Sequence, residues 1–216
     1  LLAARDNKVK RVVQASSSSV YGDTLVLPKV ETMVPSPKSP YALSKLACEH
    51  YGAIFTQFYN LPVISLRYFN VFGPRQNPFS QYAAVIPLFV KALLNDQAPT
   101  IFGDGSQTRD FTYIDNVIQA NLNSCFAAED ATGKAYNVGG YKNISVNDLA
   151  SKIKTILNKP IDSNFVAKRE GDVQDSLADI NLAKTLLNYT NSTSIDDGLS
   201  KTLNWYKSVL QEPISN

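Results

Sequence analysis

Val9-Lys10-Arg11-Val12-Val13-Gln14-Ala15, closed by Ser16-Ser17-Ser18-Ser19, and Pro62-Val63-Ile64-Ser65-Leu66-Arg67-Tyr68 are two short β-branched runs separated by one long helical pattern. Such compact apolar runs suit strands buried inside a parallel sheet. Between them a proline-rich connection, residues 28–40, leads to Ser39-Pro40, a good N-cap residue followed by a proline that fits the first helical position. Leu43, Leu46, Ala47, His50, Ile54 and Phe58 then recur near helical spacing, and Leu61-Pro62 stops the helix near Asn60. Strand, helix and strand in this order form a βαβ crossover, so the expected fold is α/β with a parallel sheet. Ligands bind at the C-terminal ends of strands in such sheets, and that is where the first run delivers its serines.

Downstream, Asn70-Val71-Phe72-Gly73-Pro74-Arg75-Gln76-Asn77-Pro78 reads as a turn-rich active-site loop. Further expected elements are a helix over 84–95, a strand over 100–102, a helix over 115–127 and a strand over 135–138. A helix capped by Ser145, with Asp148 completing a capping box, should run to Leu157, followed by helices over 181–187 and 195–210. The segment after Arg169 reads as polar loop.

Tyr41 and Lys45 lie one turn apart on the same face at the start of the helix that Ser39 caps. A phenol titrates near pH ~10, so one that acts as a base at neutral pH needs roughly 4 kcal/mol of preferential anion stabilisation. A neighbouring ammonium, the positive end of the helix dipole and the charge of an oxidised nicotinamide all act in that direction. Together with the upstream serines, the pair reads as a proton-transfer site beside a nicotinamide cofactor. The alternative is a Tyr and a Lys on a wet helix face.

Composition narrows the remaining classes. The net charge is +2, and Lys and Arg are dispersed without a basic tract, so nucleic acid is not an expected partner. The most apolar stretch, residues 82–94, is too short to span a membrane and contains Pro87 and Lys91. Cys48 and Cys125 stand far apart and offer neither a metal cluster nor a disulfide framework, so no metal and a cytoplasmic location are expected. His50, the single histidine, excludes a multi-histidine site and reads as a packing or surface residue. The sole methionine is Met33 and residues 1–8 read as the end of a helix, so the chain is expected to be the C-terminal part of a longer protein.

Separated signatures now carry a resemblance. They are Ser16-Ser17-Ser18-Ser19-Val20-Tyr21-Gly22, Pro40-Tyr41 through Lys45, Arg67-Tyr68-Phe69-Asn70-Val71-Phe72-Gly73-Pro74, Arg109-Asp110-Phe111, and Arg169-Glu170-Gly171-Asp172-Val173 with Ser176 and Ala178-Asp179-Ile180. In this order they resemble the extended short-chain dehydrogenase/reductases, NAD-dependent epimerases and dehydratases of nucleotide sugars, and most closely the UDP-N-acetylglucosamine 4-epimerases of polysaccharide synthesis. The resemblance implies the C-terminal part of a Rossmann-like parallel sheet plus a smaller α/β substrate-binding domain, with the N-terminal half of the Rossmann domain absent. Residues 1–72 would belong to the Rossmann domain. Residues 73–216 would form mainly the nucleotide-sugar domain, with some segments returning to the first.

The resemblance also assigns roles. Tyr41 would be the acid/base at the sugar 4-hydroxyl, and Lys45 would hold the nicotinamide ribose. Ser17 takes the place of the catalytic Ser/Thr, with Ser18 a second contributor. Tyr68 would border the nicotinamide, Asn70 would hold the diphosphate or sugar, and Ala84 and Val85 would cradle the uracil. Arg109 and Arg169 would grip the diphosphate, Asp172 would contact a ribose hydroxyl, and Ser176 would face the sugar C2 substituent. Local alternatives stand beside these: an Arg109–Asp110 surface ion pair, a solvated Arg169, an Asn70 bonded to its own turn, Ser16 to Ser19 as strand-end caps, and Ser176 as a loop residue or helix cap beside Asp175.

The family's glycine-rich pyrophosphate turn is not found in the sequence, so cofactor binding is expected to need the longer parent, which is expected to be a homodimer. The implied reaction is C4 epimerisation of a UDP-sugar, with NAD as cofactor. A 4,6-dehydratase is disfavoured, because Ser18 and Ser19 stand where such enzymes carry Asp-Glu. A UDP-glucuronate epimerase or decarboxylase and a non-catalytic binding homologue remain open.

Overall fold

The computed structural model describes residues 1–79, 84–168 and 173–210. In chain order its elements are α1 (Leu2–Asp6), β1 (Val12–Ser17), a 3-10 turn Ser18–Tyr21, α2 (Pro40–Tyr59), β2 (Val63–Tyr68), β3 (Asn70–Phe72), α3 (Val85–Leu94), β4 (Thr100–Phe102) and β5 (Thr108–Tyr113). They continue with α4 (Ile114–Phe126), a 3-10 turn Glu129–Ala131, β6 (Lys134–Val138), β7 (Asn143–Ser145), α5 (Val146–Leu157), β8 (Asn164–Val166), α6 (Asn181–Leu187) and α7 (Ile195–Leu210).

The expected crossover is present: β1 and β2 pair in parallel from Val12 with Val63 to Ser17 with Tyr68, and β6 adds in parallel beyond β2. A second sheet has the order β3-β5-β7, and β4 pairs with β8. Asn70–Phe72, read as loop, is therefore a short strand, pairing in parallel with β5 from Asn70 with Phe111 to Phe72 with Tyr113. Strands of three residues carry too little periodicity to stand out from a turn-rich sequence.

Alternation along the strands separates two layers. Gln14 and Arg67 bond α2, whereas Ile64 and Leu66 pack with Val117 and Ala120 of α4 and Ala183 and Leu187 of α6. A second core gathers Phe72, Phe111 and Tyr113 with α3, α5 and α7.

Helix α2 has the expected ends, and its buried stripe is not the row of regularly spaced apolar residues. Ala42, Glu49, Gly52 and Phe55 are its buried residues, whereas Leu43, Ile54 and Phe58 are exposed, as is His50. The cause is the close approach of helix to sheet: a Cβ on Gly52 would stand 2.7 Å from Gln14 Nε2 and 2.9 Å from a Val63 methyl. Only small side chains, or one that bonds the strands, fit that seam.

Among the described residues no helix is long and apolar enough to cross a membrane, and no cluster of His, Cys, Asp and Glu suits a metal ion.

Candidate active site

The C-terminal end of β1 feeds directly into the 3-10 turn, and its serines divide their work there. Ser16 turns under the sheet and donates to the Glu49 carboxylate of α2. Ser17 caps the turn: its Oγ accepts from Ser19 N at 3.2 Å and from Ser19 Oγ at 2.9 Å, which leaves its own hydroxyl proton free to serve a ligand oxygen.

The side chain of Ser39 caps α2 by accepting from Ala42 N at 3.1 Å, and Pro40 begins the helix. Tyr41 is thereby held in the first turn, 56% exposed. The Lys45 ammonium lies 5.7 Å from the Tyr41 ring centroid and donates to Ala15 O at 3.2 Å. Ala15 precedes the serines, so Lys45 ties the start of α2 to the strand end that carries Ser17. Two of its three N–H donors remain for a ligand's hydroxyls.

A cavity of about 270 Å³ opens at Ser17, lined also by Ser18, Asn70, Arg109 and Ser176; Tyr41, Lys45 and Tyr68 are not among its lining residues. Five residues singled out in the sequence thus meet in one cleft. Asn70 does not close its own turn; its amide reaches Asp110 O at 3.3 Å and Ser176 Oγ at 3.5 Å. Ser176 lies in a loop and caps no helix; its Oγ accepts from Asp110 N at 3.1 Å.

Arg109 and Asp110 do not form the surface pair considered above. Arg109 donates to the carbonyls of Thr108 and Gln174, while the Asp110 carboxylate is fully buried and accepts from Gly140 N at 2.6 Å and Ala178 N at 3.0 Å. Burial pushes the Asp110 carboxyl up to about 6 against the opposing pull of those backbone bonds.

Tyr68 lies opposite Ser17 in the sheet, and its hydroxyl donates to Asn121 Oδ1 of α4 at 3.0 Å. Burial raises its phenol. Ala84 and Val85 form the cap and first residue of α3 and are not among the residues lining the cavity. Arg169 and Asp172 lie outside the described residues.

Lys29 was not singled out in the sequence, yet it lines the same cavity and is 2% exposed. It donates to Thr24 O, and its backbone bridges to Leu177 O and Asp179 N. Burial lowers its ammonium, with Asp175 and Asp23 opposing. No periodicity surrounds it in the proline-rich connection, so nothing local marked it.

The model of the NAD dependent epimerase/dehydratase family matches residues 1–139. The chain belongs to that family. Among solved members, the UDP-N-acetylglucosamine 4-epimerase of Methanobrevibacter ruminantium M1, in complex with UDP-N-acetylmuramic acid, is 39% identical with a TM-score of 0.91, covering 96% of this chain and 66% of that one. The UDP-glucuronic acid 4-epimerase of Bacillus cereus, in complex with UDP-glucuronic acid and NAD, is 35% identical with a TM-score of 0.88, covering 96% of this chain and 64% of that one. The UDP-glucose 4-epimerase of Mycolicibacterium smegmatis is 34% identical over 210 residues, 97% of this chain and 66% of that protein. The chain thus spans about two thirds of the length of these family members.

Proposed function

We propose that the protein containing this chain is a cytoplasmic, NAD-dependent 4-epimerase of UDP-N-acetylhexosamines, interconverting UDP-N-acetylglucosamine and its galacto epimer for surface polysaccharide synthesis. The observation that carries this reading is the bond of Lys45, neighbour of Tyr41, to Ala15 O near the end of β1, the strand whose Ser17 lines a cleft with Ser18, Asn70, Arg109 and Ser176.

The residues present fit the cofactor's nicotinamide half: Lys45 has donors left for ribose hydroxyls, and Tyr68 stands opposite Ser17 in the sheet. Bound NAD supplies the transient removal and return of hydride at the sugar C4. The chain's own part is the proton. Tyr41 takes it from the 4-hydroxyl and returns it, the Lys45 charge stabilises the phenolate, and Ser17 donates to the same oxygen. Arg109, with Arg169, grips the diphosphate, for which a guanidinium fork is well shaped, and Asn70 steadies the sugar or diphosphate. Ala84 and Val85 cradle the uracil through backbone groups, Asp172 contacts a ribose hydroxyl, and the small Ser176 leaves room for an acetamido group.

A homodimer is part of the same reading. Leu43, Tyr51, Ile54 and Phe58 make an exposed apolar stripe along α2 that a second copy would cover.

One observation favours a second substrate. Lys29 lines the cleft, where a cation would suit the carboxylate of a UDP-hexuronate. Incubating the whole protein with NAD and UDP-N-acetylglucosamine, UDP-glucose or UDP-glucuronate, and resolving the epimers chromatographically, decides between them. Turnover of the acetamido sugar is expected. Turnover of the uronate alone would transfer the reading to the second substrate, and no turnover of any would refute epimerisation.

A further inference from the structure

Glu49 and Arg67 are charged, almost fully buried, 8% and 4% exposed, and take no part in the chemistry above. Glu49 follows Lys45 by one turn and Tyr41 by two, so all three side chains lie along one face of α2. Arg67 reaches it from β2 with two parallel bonds, Nε to Oε1 at 2.9 Å and Nη2 to Oε2 at 2.7 Å. Ser16 donates to the same Oε1. The remaining terminal nitrogen of Arg67 donates to the Tyr21 hydroxyl at 2.9 Å, and that hydroxyl donates to Asn137 Oδ1 of β6 at 2.7 Å. The guanidinium also lies 4.8 Å from the Tyr21 ring centroid.

Ser16 and Tyr21 are the two ends of the segment that carries Ser17 and Ser18. One carboxylate on α2 therefore fixes the near end directly and the far end through Arg67. We propose that the Glu49–Arg67 pair is a positioning device, which holds the Tyr41–Lys45 face of α2 in register with Ser17. It acts through Ser16 and Tyr21 and touches neither sugar nor cofactor.

Two physical arguments support a geometric role over a stabilising one. A buried ion pair contributes little net stability, because the cost of desolvating both charges offsets their attraction, and an apolar pair of similar volume often serves as well. The apolar contacts of α2, from Phe55 to Leu61 and Val63, are non-directional and tolerate sliding along the helix axis, whereas a forked carboxylate–guanidinium contact does not. Reacting groups displaced by about 1 Å lose on the order of a hundredfold in rate, so register alone is worth fixing.

The inference rests on the epimerase reading, and its test uses the whole protein with NAD and the UDP-sugar it turns over best. Ser16→Ala and Tyr21→Phe each delete one hydroxyl and should fold. Each is expected to lower kcat by about 3- to 30-fold with KM changed less than about threefold, the pattern of lost alignment rather than lost binding. Glu49→Leu with Arg67→Met replaces the pair by apolar side chains. This double variant is expected to keep a Tm close to that of the wild type while kcat stays at least about tenfold down.

Recovery of kcat together with Tm in the double variant would show that the pair only fills space, and unchanged kcat in both hydroxyl variants would show that the segment needs no anchoring. Either result overturns the proposal while leaving the epimerase reading intact. An inactive wild type would refute that reading first, and the positioning role with it.

Discussion

Replacing Asp110 by asparagine should flatten the dependence of stability on pH. The carboxylate is fully buried, and although the backbone N–H groups of Ala178 and Gly140 bond it, burial outweighs them and raises it from the ordinary 3.8 to about 6. For a group raised on folding, the stabilising contribution is fully present below the unfolded value and is lost as pH climbs through the folded value. Here the window runs from 3.8 to about 6, roughly two pH units, which at about 1.4 kcal/mol each makes about 3 kcal/mol lost by neutral pH.

Asparagine cannot ionise, so in Asp110→Asn this component of the slope vanishes. Its amide must, however, turn two donors towards a site built of N–H groups, at a cost of about 1–3 kcal/mol that does not vary with pH. The variant should therefore be clearly less stable than the wild type at pH 4.5 and close to it at pH 7.5. Urea unfolding at pH 4.5, 5.5, 6.5 and 7.5, compared between the two proteins at constant m-value, isolates the group because the other titrations cancel. An unchanged difference across the whole range would refute the assignment of the burial cost to Asp110.

The site makes further demands. Tyr41→Phe in the whole protein should keep NAD and substrate binding and lose at least about a hundredfold in turnover, measured by initial rates; near-normal turnover removes Tyr41 as the acid/base. Ser176→Tyr should abolish turnover of UDP-N-acetylglucosamine and spare UDP-glucose, because a ring in a cavity of about 270 Å³ rejects the larger sugar by contact. Equal loss on both sugars would point instead to the broken Ser176–Asp110 bond. Lys29→Met should raise KM for UDP-glucuronate at least about tenfold and leave that for UDP-glucose within about threefold; parallel changes would make Lys29 only a pin for the 24–29 connection.

What could be read from the sequence was what local physics decides. Ser39-Pro40 marks a helix start by its own capping chemistry, and the observed N-cap bond from Ala42 N to Ser39 Oγ is the interaction that the residue type promises. Ser145 is the same case as an N-cap, its Oγ accepting from Asp148 N at 3.0 Å, but the box is not closed as expected: the Asp148 carboxylate accepts from the Ser145 hydroxyl at 2.7 Å. Tyr41 and Lys45 came out of helical spacing, and Ser17, Ser18, Asn70, Arg109 and Ser176 out of separated motifs that the fold gathers into one cleft. Lys29 escaped because it enters the cleft from a connection without periodicity, held by a parallel bridge to Ala178 that no nearby residue foretells.

Helix α2 shows why helical spacing alone does not fix which face is buried. Its regularly spaced apolar residues suggest a core stripe under the usual rule that periodic hydrophobicity faces inward. The seam with the sheet is too narrow for them: Gly52 sits where any side chain would meet Gln14 and Val63. What occupies the seam further along is Glu49, a residue that composition assigns to solvent. Its burial makes sense only once Arg67, eighteen residues further on, is brought across by the crossover to bond both carboxylate oxygens. The apolar stripe is left facing outward, available to a second copy, while the polar residue takes the inner position where direction matters more than area. On this helix the arrangement needed for alignment displaced the arrangement that hydrophobicity alone would choose.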